Sequence, residues 1–228
     1  MKKFYKEANV KKEDNKYKIF LDDNELKTPM KNDLFVSSEK LANKLMTEWN
    51  EQEDEVLPHS MPFNRYANSI IDRVAPNKKM VLDELIEYAQ SDVICYRDGE
   101  NSKLLKIQDE KWNPILDWFD KNDMHFEVTY DVFPIEQDKK SVNNFEAKLN
   151  ELSLDKLSLL YFASAISKST LLSFAFMNNK ISAEELFELS LLEELWQAEE
   201  WGKEEEAEIN REQIRNEITY ISEYIDIL

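Results

Sequence analysis

The stretch from Asn32 to Gln52, "NDLFVSSEKLANKLMTEWNEQ", contains the point at which the chain changes its period. Up to Ser37, apolar and polar residues alternate in short runs broken by turn formers, as half-buried strands require. After Ser38, Leu41, Leu45 and Trp49 recur at four-residue steps, which places them on one side of a helix. The serine pair ahead of them suits an N-cap. Upstream, "KFYKEANV" and "YKIFLD" read as two strands separated by the turn-like "KKEDN", and "DDNELKTP" reads as a tight reversal into a further short strand.

Downstream the helical period persists. Phe63, Tyr66, Ala67, Ile70 and Val74 form a stripe halted by Pro76, and Val81, Leu85 and Tyr88 continue in a following helix. "WNPILDWFDK" predicts a short helix with Pro114 in its first turn. "HFEVTYDVF", over 125–133, is the one strand candidate in this part. "VNNFEAKLNEL", "DKLSLLYFASAIS" and "STLLSFAFMNN" predict three helices, the middle one apolar on most sides, as a central core helix should be. A long acidic helix is expected from about Ser182. A terminal helix follows, with a seam of Ala207, Ile214, Ile218, Ile221 and Ile225. The expected architecture is α+β, with a small β-rich N-terminal domain over 1–37 and a larger, mainly helical domain over 38–228.

The 228 residues suffice for a sizeable core. Acidic residues number 47 against 29 basic ones, a formal net charge of −18, so the field of the chain repels phosphate and argues against duplex DNA and anionic membranes. A single cysteine, Cys95, excludes a disulfide framework and a cysteine-built zinc site. No apolar run approaches the roughly 20 residues of a membrane span. The basic start has no continuous apolar segment of a secretory signal, and an Arg/Ser-rich transit peptide is missing. A reducing cytoplasm is the expected setting.

Two glycines, Gly99 and Gly202, are too few for phosphate-cradling loops, which exclude side chains so that backbone N–H groups can approach phosphate. His59 and His125 stand in no ligand-spaced motif and read as surface or interface residues. Cys95, flanked by apolar residues, reads as a small buried side chain. No calcium loop is present, so neither metal nor cofactor is expected. Pairs of carboxylates at glycosidase-like spacing arise by accident in so acidic a chain.

"LLEELWQAEEWGKEEE", from Leu191 to Glu206, holds seven glutamates and two tryptophans. At 100° per residue, Phe187, Leu191, Ala198 and Trp201 share one sector with Glu194 in its middle. Leu192, Leu195 and Trp196 occupy another, with Glu199 alongside. A carboxylate among apolar neighbours is costly unless it is paired, protonated or left in a groove for a partner's cation. Arg97 and Arg65 are candidate internal partners. Gly202 reads as a left-handed helix stop with Trp201 anchoring the corner.

Several landmarks then arrive in one order. "LLEELWQAEEWG" is similar to the signature L-[ED]-E-x-x-Q-x-x-x-W-G of the assembly chaperones for the alpha subunit of the ATP synthase F(1) head. The mitochondrial members of that family are called ATP synthase assembly factor 2, and relatives occur in alphaproteobacteria. Glu193, Glu194, Gln197, Trp201 and Gly202 fill the signature. "LKTP" (Leu26 to Pro29), "LANKLMTEWNEQ" with Glu48, Trp49 and Gln52, and "MPFNRYANSIID" with Met61, Pro62, Asn68 and Asp72 resemble further family elements. So do "SDVICYR", through Asp92, Tyr96 and Arg97, and "IQDEKWNPILDW", through Gln108, Trp112 and Pro114. Asn64, Tyr66 and Asn113 depart from the family pattern.

The resemblance implies a β-rich then helical protein without catalytic activity or cofactor. Such a chaperone binds the free alpha subunit and shields it until the beta subunit joins. By the same resemblance, Glu194 and then Glu193 are the first partner-binding candidates, with Gln197 and Trp201 beside them. A groove next to the acidic helix would receive the client, and like charge favours a monomer. The competing readings are a hydrolase using Glu193 or Glu194 as acid or base, and an acidic decoy for nucleic-acid-binding sites.

Overall fold

The computed structural model describes residues 1–99, 102–131, 133–202 and 204–228. It divides into two units, Met1–Lys78 with Tyr220–Leu228, and Lys79–Thr219. As expected, a small antiparallel sheet is followed by helices.

In the first unit β1 (Ala8–Glu13) and β2 (Lys16–Leu21) pair in antiparallel register from Ala8 opposite Leu21 to Glu13 opposite Lys16. The turn between them uses Asp14 and Asn15 at positive φ, where short polar side chains are the least strained after glycine. The two-residue strands β3 (Asn24–Glu25) and β4 (Phe35–Val36) both pair with β2. Helix α1 (Glu39–Asn50) starts where Ser38 accepts from the Leu41 N–H, at the change of period read above. Tyr5, Ala8, Leu21, Val56 and Met61 form a core cluster, with Leu26, Met46 and Trp49 packed against it.

Helix α2 (Pro62–Ser69) begins on a proline and runs into a π-helical turn, Ile70–Val74. Its first N–H groups, of Phe63 and Asn64, both bond the Glu48 carboxylate at 2.9 Å. Burial raises the pKa of Glu48, and these donors act against that shift. Asn64 also accepts from the Trp49 indole at 2.9 Å. Tyr66 is buried edge-on against Tyr224. Thr28, of "LKTP", donates to Asp72, at the end of the "MPFNRYANSIID" element, at 2.6 Å. Two landmarks far apart in sequence are thus two ends of one hydrogen bond.

The second unit is helical. α3 (Lys78–Gln90) is followed by α4 (Lys103–Asp120), α5 (Lys139–Asn150), α6 (Leu154–Ser167), α7 (Thr170–Met177), α8 (Ala183–Ser190) and α9 (Leu192–Trp201). α10 (Glu205–Asp226) gives this unit its residues through Thr219 and the first unit its last turns. Phe119, Phe126, Phe145 and Phe174 meet in edge-on and tilted pairs at 5.0–6.1 Å. Leu157, Leu159, Leu160 and Ala163 of α6 are wholly buried, which is why that helix carries apolar residues all round.

Three expectations change here. Pro114 lies well inside α4, eleven residues after its start. It withdraws only the N–H that would bond the Glu110 carbonyl, and the proline itself sits on an exposed face, so the helix runs on to Asp120. The segment 125–133 contains no strand among its described residues. It makes one parallel bridge, Thr129 to Tyr96, while Ser141 and Gln137 side chains bond the N–H groups of His125 and Glu127. The acidic run is two helices, broken at Leu191 (φ −108°, ψ 17°).

Candidate functional site

Helix α9 is seated by the residues that the motifs share. Gln108, on α4, accepts from the Asp98 N–H at 2.8 Å and donates to Glu193 at 2.7 Å. The Trp112 indole, also on α4, donates to the Leu189 carbonyl near the end of α8 at 3.0 Å. The buried Arg97 guanidinium lies 5.0 Å from the Trp112 ring centroid. It donates to the Ile94 carbonyl, to Asp109 at 3.3 Å and to Asn113 at 3.0 Å. Asn113, a departure from the family pattern, therefore still serves Arg97. Asp92, wholly enclosed, accepts from the Ser169 hydroxyl at 2.7 Å and the Leu171 N–H at 2.9 Å, closing the N-terminus of α7. Burial pushes its pKa up to about 6 against those donors.

Glu194 is paired, but neither with Arg97 nor with Arg65. Arg211, on α10, donates to it at 2.8 Å and also bonds Glu208. The Arg211 side chain is 6% exposed and that of Glu194 41%, so the carboxylate keeps access to solvent while its partner is enclosed. Arg65 lies over the Tyr66 ring in the first unit. Glu208, then Glu194, hold the pKa of Arg211 above its ordinary value.

Trp201 does not anchor a corner. It is 74% exposed, with its ring edge-on to Trp196 at 5.5 Å. Gly202 ends the helix at φ 102°, ψ 164°, a region open to glycine but outside the left-handed helical one. Gln197 is exposed. The four residues singled out from the sequence thus differ in setting. Glu193 and Glu194 are held by hydrogen bonds, whereas Gln197 and Trp201 face outward.

On the other side of α9 lies a groove of about 490 Å³. Its apolar lining comes from Ile115 of α4, Ile181 and Leu189 at α8, and Leu192, Leu195 and Trp196 of α9. Glu110, Glu188 and Glu199 stand at its rim, with Lys111, Lys180 and Glu185. Glu185 closes a capping box with Ser182, and both lysines draw its pKa down further after that bond. None of the four site residues read from the sequence lines this groove. The signal for it was the second apolar sector, Leu192, Leu195 and Trp196. Ile115 and Ile181 come from other helices and carry no such signal. Cys95 is buried, which pushes its thiol pKa up, and among the described residues no three His, Cys, Asp or Glu are grouped as a metal ion requires. No helix among the described residues is long and apolar enough to cross a membrane.

A family model described as "ATP12 chaperone protein" matches residues 2–120, more than half of the chain. The chain belongs to the ATP12 chaperone family. The resemblance read from the motifs is thereby confirmed. An ATP12 relative in Schizosaccharomyces pombe, "Protein atp12, mitochondrial", is 25% identical over 232 residues, spanning 95% of this chain and 79% of that protein. The crystal structure of Atp12 from Paracoccus denitrificans superposes with a TM-score of 0.92 at 29% identity, over 99% of this chain and 97% of that one. A protein from Agrobacterium tumefaciens gives 0.90 at 30% identity, over 98% and 84%. The α+β architecture is thus that of solved ATP12 structures.

Proposed function

We infer that this ATP12-family chaperone, a protein of ATP synthase assembly, binds the free alpha subunit of the F(1) head and shields it until the beta subunit joins. It acts as a monomer, without catalysis or cofactor, in the bacterial cytoplasm; eukaryotic relatives act in the mitochondrial matrix. The observation that carries this reading is the outward face of α9. There the Trp201 indole is exposed and, two turns earlier on the same helix, the Glu194 carboxylate is fixed by Arg211 yet open to solvent. An exposed indole and an oriented charge on one helix have the composition of an interface hot spot. Excess negative charge supports steering towards basic surface on the client. A hydrolase built on Glu193 and Glu194 has less support, because Gln108 and Arg211 occupy these acids and neither faces the groove.

Co-expression tests the reading. The alpha subunit should stay dispersed in cells that make this chaperone and aggregate in cells that lack it; equal aggregation in both would refute the proposal. Glu194→Lys should weaken alpha-subunit binding about tenfold in a pull-down titration. The Glu194 carboxylate is open to solvent and Glu208 still neutralises Arg211, so the melting temperature should move by only a few degrees. A large fall in melting temperature with client binding intact would make Glu194 a structural acid.

A further inference from the structure

The groove between α4, α8 and α9 has a floor and a rim of different character. Ile115, Leu189, Leu192 and Leu195 are apolar, and the partly buried Trp196 adds an indole. Of the rim carboxylates, Glu185 is engaged by Ser182 and drawn down by Lys111 and Lys180. Glu110, Glu188 and Glu199 are exposed and have no hydrogen bond or ion pair among the described residues. The rim thus sets four carboxylates against Lys111 and Lys180, an excess of negative charge next to an apolar floor.

We propose that this groove receives an apolar client segment that carries an arginine, whose guanidinium stacks on Trp196 and pairs with Glu199 or Glu110. The floor takes the aliphatic side chains. A guanidinium suits the rest better than an ammonium does, because its plane lies flat on an indole and its fork reaches carboxylate oxygens in pairs. A second copy of this chain is disfavoured, since each copy carries a net charge of −18. Nucleic acid is disfavoured by the same rim. The assignment rests on the proposed function, because it names the chemistry by which the alpha subunit would be held.

The test places a photo-crosslinking residue at Glu199 in the full-length chaperone, incubates it with alpha subunit and maps the linked peptide. A linked stretch with aliphatic residues and an arginine within one helical turn supports the assignment. The double variant Glu110→Arg/Glu199→Arg should then lower alpha-subunit affinity at least tenfold with an unchanged circular dichroism spectrum, since both residues are exposed and unpaired. Changing the linked client arginine to glutamate should restore binding to the double variant. Full affinity of the double variant, or a crosslink only to acidic or uncharged segments, would overturn the groove assignment and leave the proposed function standing. Failure of the unaltered chaperone to retain alpha subunit at all would overturn both.

Discussion

Replacing Trp112 by alanine should remove about 4 kcal/mol of stability, the loss typical of a buried tryptophan truncated in a packed core. Trp112 is 1% exposed and does three things at once. Its ring fills core space, its N–H satisfies the Leu189 carbonyl near the end of α8, and its face supports the Arg97 guanidinium. Alanine would leave a cavity, an unpaired buried acceptor and a less well-held buried cation. Phenylalanine keeps most of the ring and should lose about half as much. Urea unfolding of the two variants beside the parent measures both. A change below about 1 kcal/mol for alanine would mean that the α4–α8 contact is not organised by this indole. In a chain of this size the alanine variant should melt about 10 °C lower.

The second large effect is a dependence on pH. Asp92 is carried from 3.8 to about 6 by desolvation, against the Leu171, Ser169 and Ile94 donors. With the folded value above the unfolded one, the native state holds the proton more tightly. The favourable contribution of this group is complete below about pH 3.8 and is lost as pH rises through 6. Two pKa units correspond to about 3 kcal/mol. Asp92→Asn cannot ionise, so between pH 4 and pH 7.5 its stability should improve relative to the parent by about 2 kcal/mol. Urea unfolding of both proteins at the two pH values gives the difference of differences, in which the common effect of net charge cancels. A value near zero would show that the three donors offset burial and that Asp92 titrates in the ordinary range.

The switch of period at Ser38 was legible because a strand stripe and a helix stripe are local properties of the chain, and α1 begins where the spacing places it. The same reasoning misplaced Pro114, since a proline on a solvated helix face removes one hydrogen bond without ending the helix. It also took 125–133 for a strand, because alternation records two-sided burial and not the presence of a neighbouring strand. The site was legible by half. Glu194 stood out as a carboxylate among apolar residues, but its partner Arg211 lies on another helix and no spacing rule links the two. Trp201 was read as a corner anchor because tryptophan is usually enclosed, and it is exposed instead. A groove beside the acidic helix was legible, but its full lining was not, because half of its floor belongs to α4 and α8.

Gln108 carries a warning for genetics. It touches the Asp98 amide and Glu193 together while remaining 1% exposed. An inactivating allele there would mimic a lost contact with the client although the side chain never reaches one. Compensating alleles should map to Glu193 or to the loop around Asp98, and second-site changes in the client should be unable to rescue it.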